Sequence, residues 1–528
     1  MDIITDIPAA TLSAELTSRC QRGRLGGFPS IEEAQMSLVR KKTIEQSIAD
    51  TDEPEYQLKK RLTALDLTVF GIGVIIGAGI FTLTGKAAKS FAGPGIALSF
   101  VLAAFCCALA ALCYAEFSST VPVSGSAYTF SYFALGEIFA WIIGWDLLLE
   151  LMLGASVVAQ GWSTYAALFL EQIGLSWPES IGPDSNVNVL AMLLVVVLTI
   201  LATIGIKESL RVNLVLVAIK LFVVLFVIIA GLFYIKSSNL TPFIPPSVPA
   251  ANSDVTITTP LFQALFGFEP STFGVMGLVS GASLVFFAFI GFDVVATTAE
   301  EAKNPQRDLP RGIIGSLAIC TVLYVAVCLV ITGMVKYTDI SGEAALAEAF
   351  RSVGRGGFAT LISAGAVAGL TTVVLTLMIG AARVVFAMSR DHLMPRQLGK
   401  THPKWGTPYR LTIGIGVVVA LVAGVTPIGN LEEMVNIGTL AAFTLVSISV
   451  PLLRKSRPDI ERSFRVPWSP VIPIVAAVIC FYLMLNLSLE TWLRFGIWMA
   501  LGFAIYAVYG YRRSRVGIEA KTGEQVKA

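Results

Sequence analysis

The chain has 528 residues, 55% of them hydrophobic and 14% charged, with a formal net charge of +2 and a mean hydropathy of +0.75. A soluble globular chain carries roughly a quarter charged residues, so this one has too few to cover a water-facing surface of its size. The near-neutral charge, with no basic tract interleaved by aromatics, argues against nucleic acid as a partner.

Residues 1–61 are polar, mixed in charge and without an apolar core segment, so they read as a cytoplasmic N-terminal tail and not as a signal peptide. Apolar blocks then follow at 64–84, 95–116, 138–170, 189–205, 212–234, 274–298, 313–335, 358–387, 412–426, 434–453, 471–487 and 493–509. A helix needs about 20 residues to cross a hydrocarbon core, so these predict an all-α integral membrane protein with about 12 transmembrane helices.

Orientation follows from the basic residues of the short connections. Lys59, Lys60 and Arg61 precede the first span and place the N-terminus inside. The even-to-odd connections should then be basic, and Lys207, Arg211, Lys303, Arg307, Arg390, Arg396, Arg454 and Arg462 agree. The connection after the second span departs from this, with almost no basic residues. Arg512, Arg513 and Arg515 place the C-terminal tail, 514–528, inside as well. The long connection 236–273, rich in Pro, Ser and Thr, then lies outside. Seven cysteines show no metal spacing and only His392 and His402 are present, so neither a zinc site nor histidine-based catalysis is expected.

Two spans are interrupted. In the first, Gly71, Gly73, Gly77 and Gly79 are too dense for a stable helix, each costing about 1 kcal/mol relative to alanine. Close helix packing through small residues is one explanation. The other is a break in mid-membrane, where a half-helix N-terminus can hold an anion. The sixth span carries Phe286-Phe-Ala-Phe-Ile-Gly291-Phe-Asp293, aromatics around one glycine followed by a carboxylate. An aromatic stripe can equally be packing. First and sixth, however, are the leading members of two successive five-helix sets, as an inverted-topology repeat requires. The expected organisation is one transporter domain, 62–513, with repeat one at 62–235, repeat two at 274–453 and two extra helices at 469–511. Such a site would offer amides of Ala78 and Gly79 to a carboxylate. Carbonyls near Ile75, Phe287, Ala288 and Ile290 would receive an ammonium, so the complementary ligand is a zwitterionic α-amino acid.

Several motifs then resemble the amino acid–polyamine–organocation superfamily, and within it the bacterial relatives of the cationic amino acid transporters. They are Gly77-Ala-Gly79-Ile-Phe81, Pro122-Val-Ser-Gly-Ser-Ala-Tyr128, Phe287-Ala-Phe-Ile-Gly-Phe-Asp293, Glu300-Glu-Ala-Lys-Asn-Pro-Gln-Arg-Asp-Leu-Pro310 and Met388-Ser-Arg-Asp-His-Leu-Met-Pro395. The acidic-to-Pro run is the most specific, and the resemblance covers roughly residues 60–513. It implies a five-plus-five repeat with discontinuous first and sixth helices, alternating access, and proton-coupled uptake or exchange of amino acids across the cell membrane. It also implies substrate contacts at Ile75, Ala78 and Gly79, with Phe287, Ala288 and Ile290 opposite. Relatives often have a hydroxyl residue where this chain has Ala78, which would leave a carboxylate more dependent on backbone amides.

A charge inside a span costs roughly 2.5 to 3.5 kcal/mol on insertion scales, so one that persists usually pairs or works. Lys220, in the fifth span, either snorkels to the interface or is the proton-coupling group, since a buried amine can lose its charge. The resemblance implies the second, with this lysine standing where sodium-coupled relatives hold their ion. It fits Lys220 better than Lys207, which lies in the loop, and disfavours sodium. Glu150, with Asp146 one turn earlier, is either satisfied by a polar neighbour or is a pocket carboxylate that relays a proton or holds the substrate ammonium. Asp293 is the expected inner gate, and Glu116 the anchor of a cytoplasmic loop. By the resemblance, Leu370 sets pocket volume, with Thr371 and Thr372 nearby. A branched apolar residue there leaves less room for a long cationic side chain, so small neutral and cationic amino acids both stay open.

No cofactor is expected beyond the proton gradient, and nothing calls for an obligatory protein partner besides the lipid bilayer. A channel would need a continuous polar lining, and a membrane enzyme a cluster of His, Cys or carboxylates at an interface. Neither pattern is present. An exchanger, or a nontransporting amino-acid sensor with the same fold, would carry the same site.

Overall fold

The computed structural model describes residue 40 and residues 61–121, 123, 126–183, 185–204, 210–249, 256–267, 271–342 and 344–522. Lys207, Pro122 and nearly all of the expected N-terminal tail lie outside the described residues.

Every predicted apolar block falls on a helix. The first span opens with α1 (Ala64–Ile75), started by a capping box: Asp66 Oδ2 accepts from the Thr63 amide at 2.9 Å and the Thr63 hydroxyl accepts from the Asp66 amide. The helix stops at Ile75, the chain bends through Ile76 and Gly77, and a helical run resumes with a π-helical turn at Gly79–Leu83. This run turns a corner at Gly93, whose φ of +58° admits glycine readily, and continues into α2 (Ile96–Thr120). A short buried helix, α3 (Ser126–Ala134), precedes α4 (Glu137–Gln172), α5 (Val189–Ile204) and α6 (Leu210–Gly231). The connection after the second span is poor in lysine and arginine for a structural reason: α3 is buried along its whole length.

The sixth span is α7 (Gly274–Val285), a tight turn Phe286–Phe289, and α8 (Phe292–Ala296). Then come α9 (Pro305–Met334), α10 (Ala345–Ser352), α11 (Gly356–Arg390), α12 (Tyr409–Val425), α13 (Ile428–Ser456), α14 (Val471–Leu485) and α15 (Leu489–Ile505). Among the described residues eight helices are long and apolar enough to cross a membrane; α1, α5, α12 and α14 are shorter apolar helices. Stripes such as Leu193, Val197 and Ile200 on α5, or Leu493, Ile497 and Leu501 on α15, face outward uncovered, as helices solvated by lipid do.

Between the five spans from α1 to α6 without α3 and the five from α7 to α13 without α10, α7 and α8 being the halves of one span, contacts come in matched pairs. The α1–α9 contact has its counterpart in α2–α7, α4–α12 in α5–α11, α6–α11 in α4–α13, α6–α9 in α2–α13, and α4–α5 in α11–α12. The exchange maps α2–α9, α4–α11 and α5–α12 onto themselves. The last two helices sit outside this scheme. α14 packs on α13 and α2, and α15 packs on α13 and α4, where Trp145 stacks on Trp498 at 4.4 Å between ring centroids.

The outer connection 236–273 is not a free loop. A two-stranded pair, β1 (Val248–Pro249) with β2 (Ser271–Thr272), forms within it, and the Leu261 amide donates to the Leu487 carbonyl at the end of α14. At the opposite end, Arg61 donates its amide to the Glu301 carbonyl and Lys303 to that of Leu62, which ties the start of the first span to the end of the sixth.

Candidate functional site

The two breaks meet, and glycine is what lets them. A Cβ on Gly79 would stand 2.3 Å from the Ala288 Cα, and one on Gly291 would stand 2.6 Å from Val74 Cγ1. Each break thus supplies a glycine seated against the other. Gly291, at φ +116°, also holds a conformation that side-chain-bearing residues rarely adopt.

Backbone groups released by the first break find partners from neighbouring helices, as buried polar groups must. Lys220 Nζ donates to the Gly73 carbonyl at 2.6 Å, and the Tyr324 hydroxyl donates to the Ile75 carbonyl at 2.6 Å. Beyond the break the Tyr165 hydroxyl donates to the Phe81 carbonyl at 2.8 Å. Lys220 is completely buried, its methylenes lying where a Cβ on Gly369 of α11 would fall. Its ammonium is thus turned into the bundle, onto the end of α1.

At the second break Asp293 Oδ1 accepts from the Gly291 amide at 3.2 Å, and the Asp293 carbonyl accepts from the Ser126 hydroxyl at 3.3 Å. The Ser126 hydroxyl thus meets the backbone of Asp293, while the carboxylate turns back to close the break. Of the phenylalanines here, Phe286 and Phe292 pack edge-on or tilted against Phe443, and Phe289 against Phe100 and Tyr324. Phe287 alone of the four turns to the cavity.

That cavity lies between the breaks, α4 and α11. Its volume is about 20 Å³, room for roughly one water molecule. Its walls are Val74, Ile75, Ala78 and Gly79 on one side and Phe287 and Ile290 on the other. Glu150, Gly154 and Val158 line it from α4, and Val373 and Leu377 from α11. Almost everything here is apolar. The exception is Glu150, buried, neither of whose carboxylate oxygens has a hydrogen-bond partner among the described residues. Nearby, Asp146 Oδ1, the Tyr114 hydroxyl and Asn436 Oδ1 are likewise without one. The helical run beyond the break leaves its first amides without intrahelical acceptors, and Ala78 and Gly79, where that run begins, line the cavity together with Glu150.

The family model for amino acid permeases matches residues 62–511. The chain belongs to the amino acid permease family. With it comes membership of the amino acid–polyamine–organocation superfamily, a class of multi-pass membrane transporters and not of enzymes. The permease is 45% identical over 489 residues to the branched-chain amino acid permease BcaP of Bacillus subtilis (strain 168), covering 91% of this chain and 99% of the relative. It is 44% identical over 484 residues to the methylthioribose transporter of the same organism, covering 90% and 99%. The vacuolar cationic amino acid transporter 4 of Arabidopsis thaliana is 36% identical over 428 residues, covering 80% and 68%.

In the permease, Ile75, Ala78, Gly79, Glu150, Phe287 and Ile290 converge on one cavity, while Ala288 backs it as the seat of Gly79. Leu370 is fully buried and is not among the lining residues. Gly369 rests on Lys220, and Val373 and Leu377, four and eight residues on, continue that stripe into the cavity; Leu370 is turned about 100° away. Thr371 accepts from the Trp162 indole at 2.9 Å and Thr372 donates to the Gly369 carbonyl at 2.8 Å. Gly154, Val158, Val373 and Leu377 went unpredicted, although the four-residue steps from Glu150 and Gly369 carry that signal. Glu116 holds the connection after α13. It accepts from Arg454 Nε at 2.8 Å and from the Val466 amide at 2.7 Å, with Arg462 Nε at 3.6 Å.

Proposed function

We propose that the permease is a secondary active transporter that couples uptake of small neutral L-amino acids to protons by alternating access across the cell membrane. The observation that carries the reading is the cavity where the two breaks meet, with amides and a lone carboxylate around an aliphatic wall. Two relatives of nearly equal identity bear names for different cargoes, a branched-chain amino acid and methylthioribose, so identity does not choose between them. The lining favours a branched aliphatic side chain.

The matched contacts of the two helix sets support a five-plus-five inverted repeat within twelve spans, both termini being cytoplasmic. At about 20 Å³, the cavity must widen to admit an amino acid, as a site alternating between conformations does. Lys220 supports protons over sodium, because its Nζ occupies a carbonyl that a sodium ion would need, three residues before the break. Its loss of charge would weaken the hold on the Gly73 carbonyl, since a neutral amine is a poorer donor than an ammonium, and so loosen the end of α1. Glu150 supports a second reading of the cargo: a carboxylate without a partner at the cavity wall suits a cationic side chain, which the Arabidopsis relatives' names also mention.

Reconstitution tests the proposal. Purified protein in liposomes should accumulate labelled valine under an imposed proton gradient without sodium, and Lys220→Ala should keep equilibrium binding while losing accumulation. Binding without movement would make the protein a sensor. Exchange of internal for external amino acid without a gradient would make it an antiporter, and a sodium requirement would overturn the proton assignment.

A further inference from the structure

A second, larger cavity of about 640 Å³ lies beyond the first, within the 300–1,000 Å³ range of small-ligand sites. The same two helix faces build both. Thr82 and Lys86 follow Ala78 at four-residue steps along the first span, and Gly161 and Thr164 follow Gly154 and Val158 along α4. The partition between the cavities is one layer thick: a Cβ on Gly161 would stand 3.2 Å from Thr82 Cγ2 and 3.5 Å from the Ala78 Cβ.

Most polar groups of the larger cavity are committed elsewhere. The Gln160 amide donates to the Ala423 and Thr426 carbonyls at 2.8 and 2.7 Å, and Asn188 Nδ2 donates to the Ser163 hydroxyl at 2.6 Å. What remains is one pair of full charges. Lys86 of the first span meets Glu432 of α13; the carboxylate side chain is 1% exposed, and the ammonium side chain, at 32%, reaches the cavity. Removing either partner would take the opposite charge from the other, which is costly when that charge is buried. A zwitterion strands neither. Its carboxylate replaces Glu432 on Lys86 while its ammonium replaces Lys86 on Glu432.

We infer that Lys86 and Glu432 form an outer subsite that receives the zwitterionic head group of an amino acid before it passes Gly161 into the central cavity. The inference rests on the amino acid reading of the central site.

The test places a cysteine at Thr164 in a Cys20→Ser background and times its reaction with a membrane-impermeant thiol reagent applied from outside. The six described native cysteines are buried. L-Valine should slow the reaction along a one-site curve, by about tenfold at ten times its dissociation constant. Isobutylamine, which lacks the carboxylate, and isovalerate, which lacks the ammonium, should not protect. Lys86→Met and Glu432→Gln should each abolish protection while equilibrium binding of labelled valine persists. The double variant leaves no charge unpaired and keeps the measurement available where a single variant fails to fold. Protection by valine in the double variant, or none in the parent protein although valine binds, overturns the subsite alone. A protein that binds no amino acid overturns the transport reading and the subsite with it.

Discussion

Replacing Gly154 with alanine adds one methyl group to the cavity wall without disturbing the helices that carry it. The new Cβ would lie 3.5 Å from Leu377 Cδ1, an ordinary van der Waals contact. An interior helical glycine also costs roughly 0.5 to 1 kcal/mol relative to alanine, so the folded state should not lose stability. The methyl instead removes space from a cavity of about 20 Å³, on the side where the substrate side chain is to fit. One methylene in an apolar pocket is worth about 1 to 3 kcal/mol, or roughly 10- to 200-fold in discrimination. In proteoliposomes, a competition panel of the common amino acids against one labelled substrate should show valine, leucine and isoleucine weakened by that factor, with glycine and alanine nearly unchanged. An equal shift across the panel, or none, would refute the assignment of this cavity to the side chain.

Gly79→Ala should abolish substrate binding, and Ala288→Gly should not restore it, because the closest approach is to the Ala288 Cα; equilibrium binding of each variant checks this. Glu116→Ala would leave Arg462, 5% exposed, with its carboxylate removed. Breaking such a pair costs about 3 to 5 kcal/mol, and limited proteolysis between α13 and α14 should accelerate. Burial, Arg396 and Arg515 hold the His392 imidazole below its ordinary value of 6.5. The folded state therefore binds fewer protons than the unfolded one, and this contribution is complete above about pH 6.5 and lost as pH falls. His392→Asn, which tolerates the φ of +62° at this position, should flatten the loss of thermal stability between pH 7 and 5.

The density of Gly71, Gly73, Gly77 and Gly79 made the first break legible, and its place five spans before Phe286–Asp293 made the meeting legible too. Both explanations of those glycines hold in part, since Gly71 is a packing glycine whose added Cβ would fall 2.5 Å from the Ser316 hydroxyl. Glu150 was legible because a carboxylate inside a long apolar helix needs a reason. The eighth-span wall was not. Leu370, Val373, Val374 and Leu377 are all apolar at helical spacing, and contacts from distant helices, such as the seating of Gly369 on Lys220, fix which way the helix is rotated. The phenylalanines of the sixth span were ambiguous for a similar reason: a ring packs or lines according to its neighbours, and Phe443 and Tyr324 come from distant helices. Nor could spacing reveal that the Tyr324 hydroxyl holds the Ile75 carbonyl.

The reciprocal seating of Gly79 on Ala288 and Gly291 on Val74 makes the two interrupted helices work like meshed teeth. Neither can rotate or slide by more than a fraction of an ångström without pushing the other's backbone, because no side chain lies between Gly79 and Ala288 to absorb the shift. In the proposed transport cycle, the pole assigned to a carboxylate and the wall assigned to a side chain would therefore open and close as one, so that cargo would not be gripped at one end while released at the other.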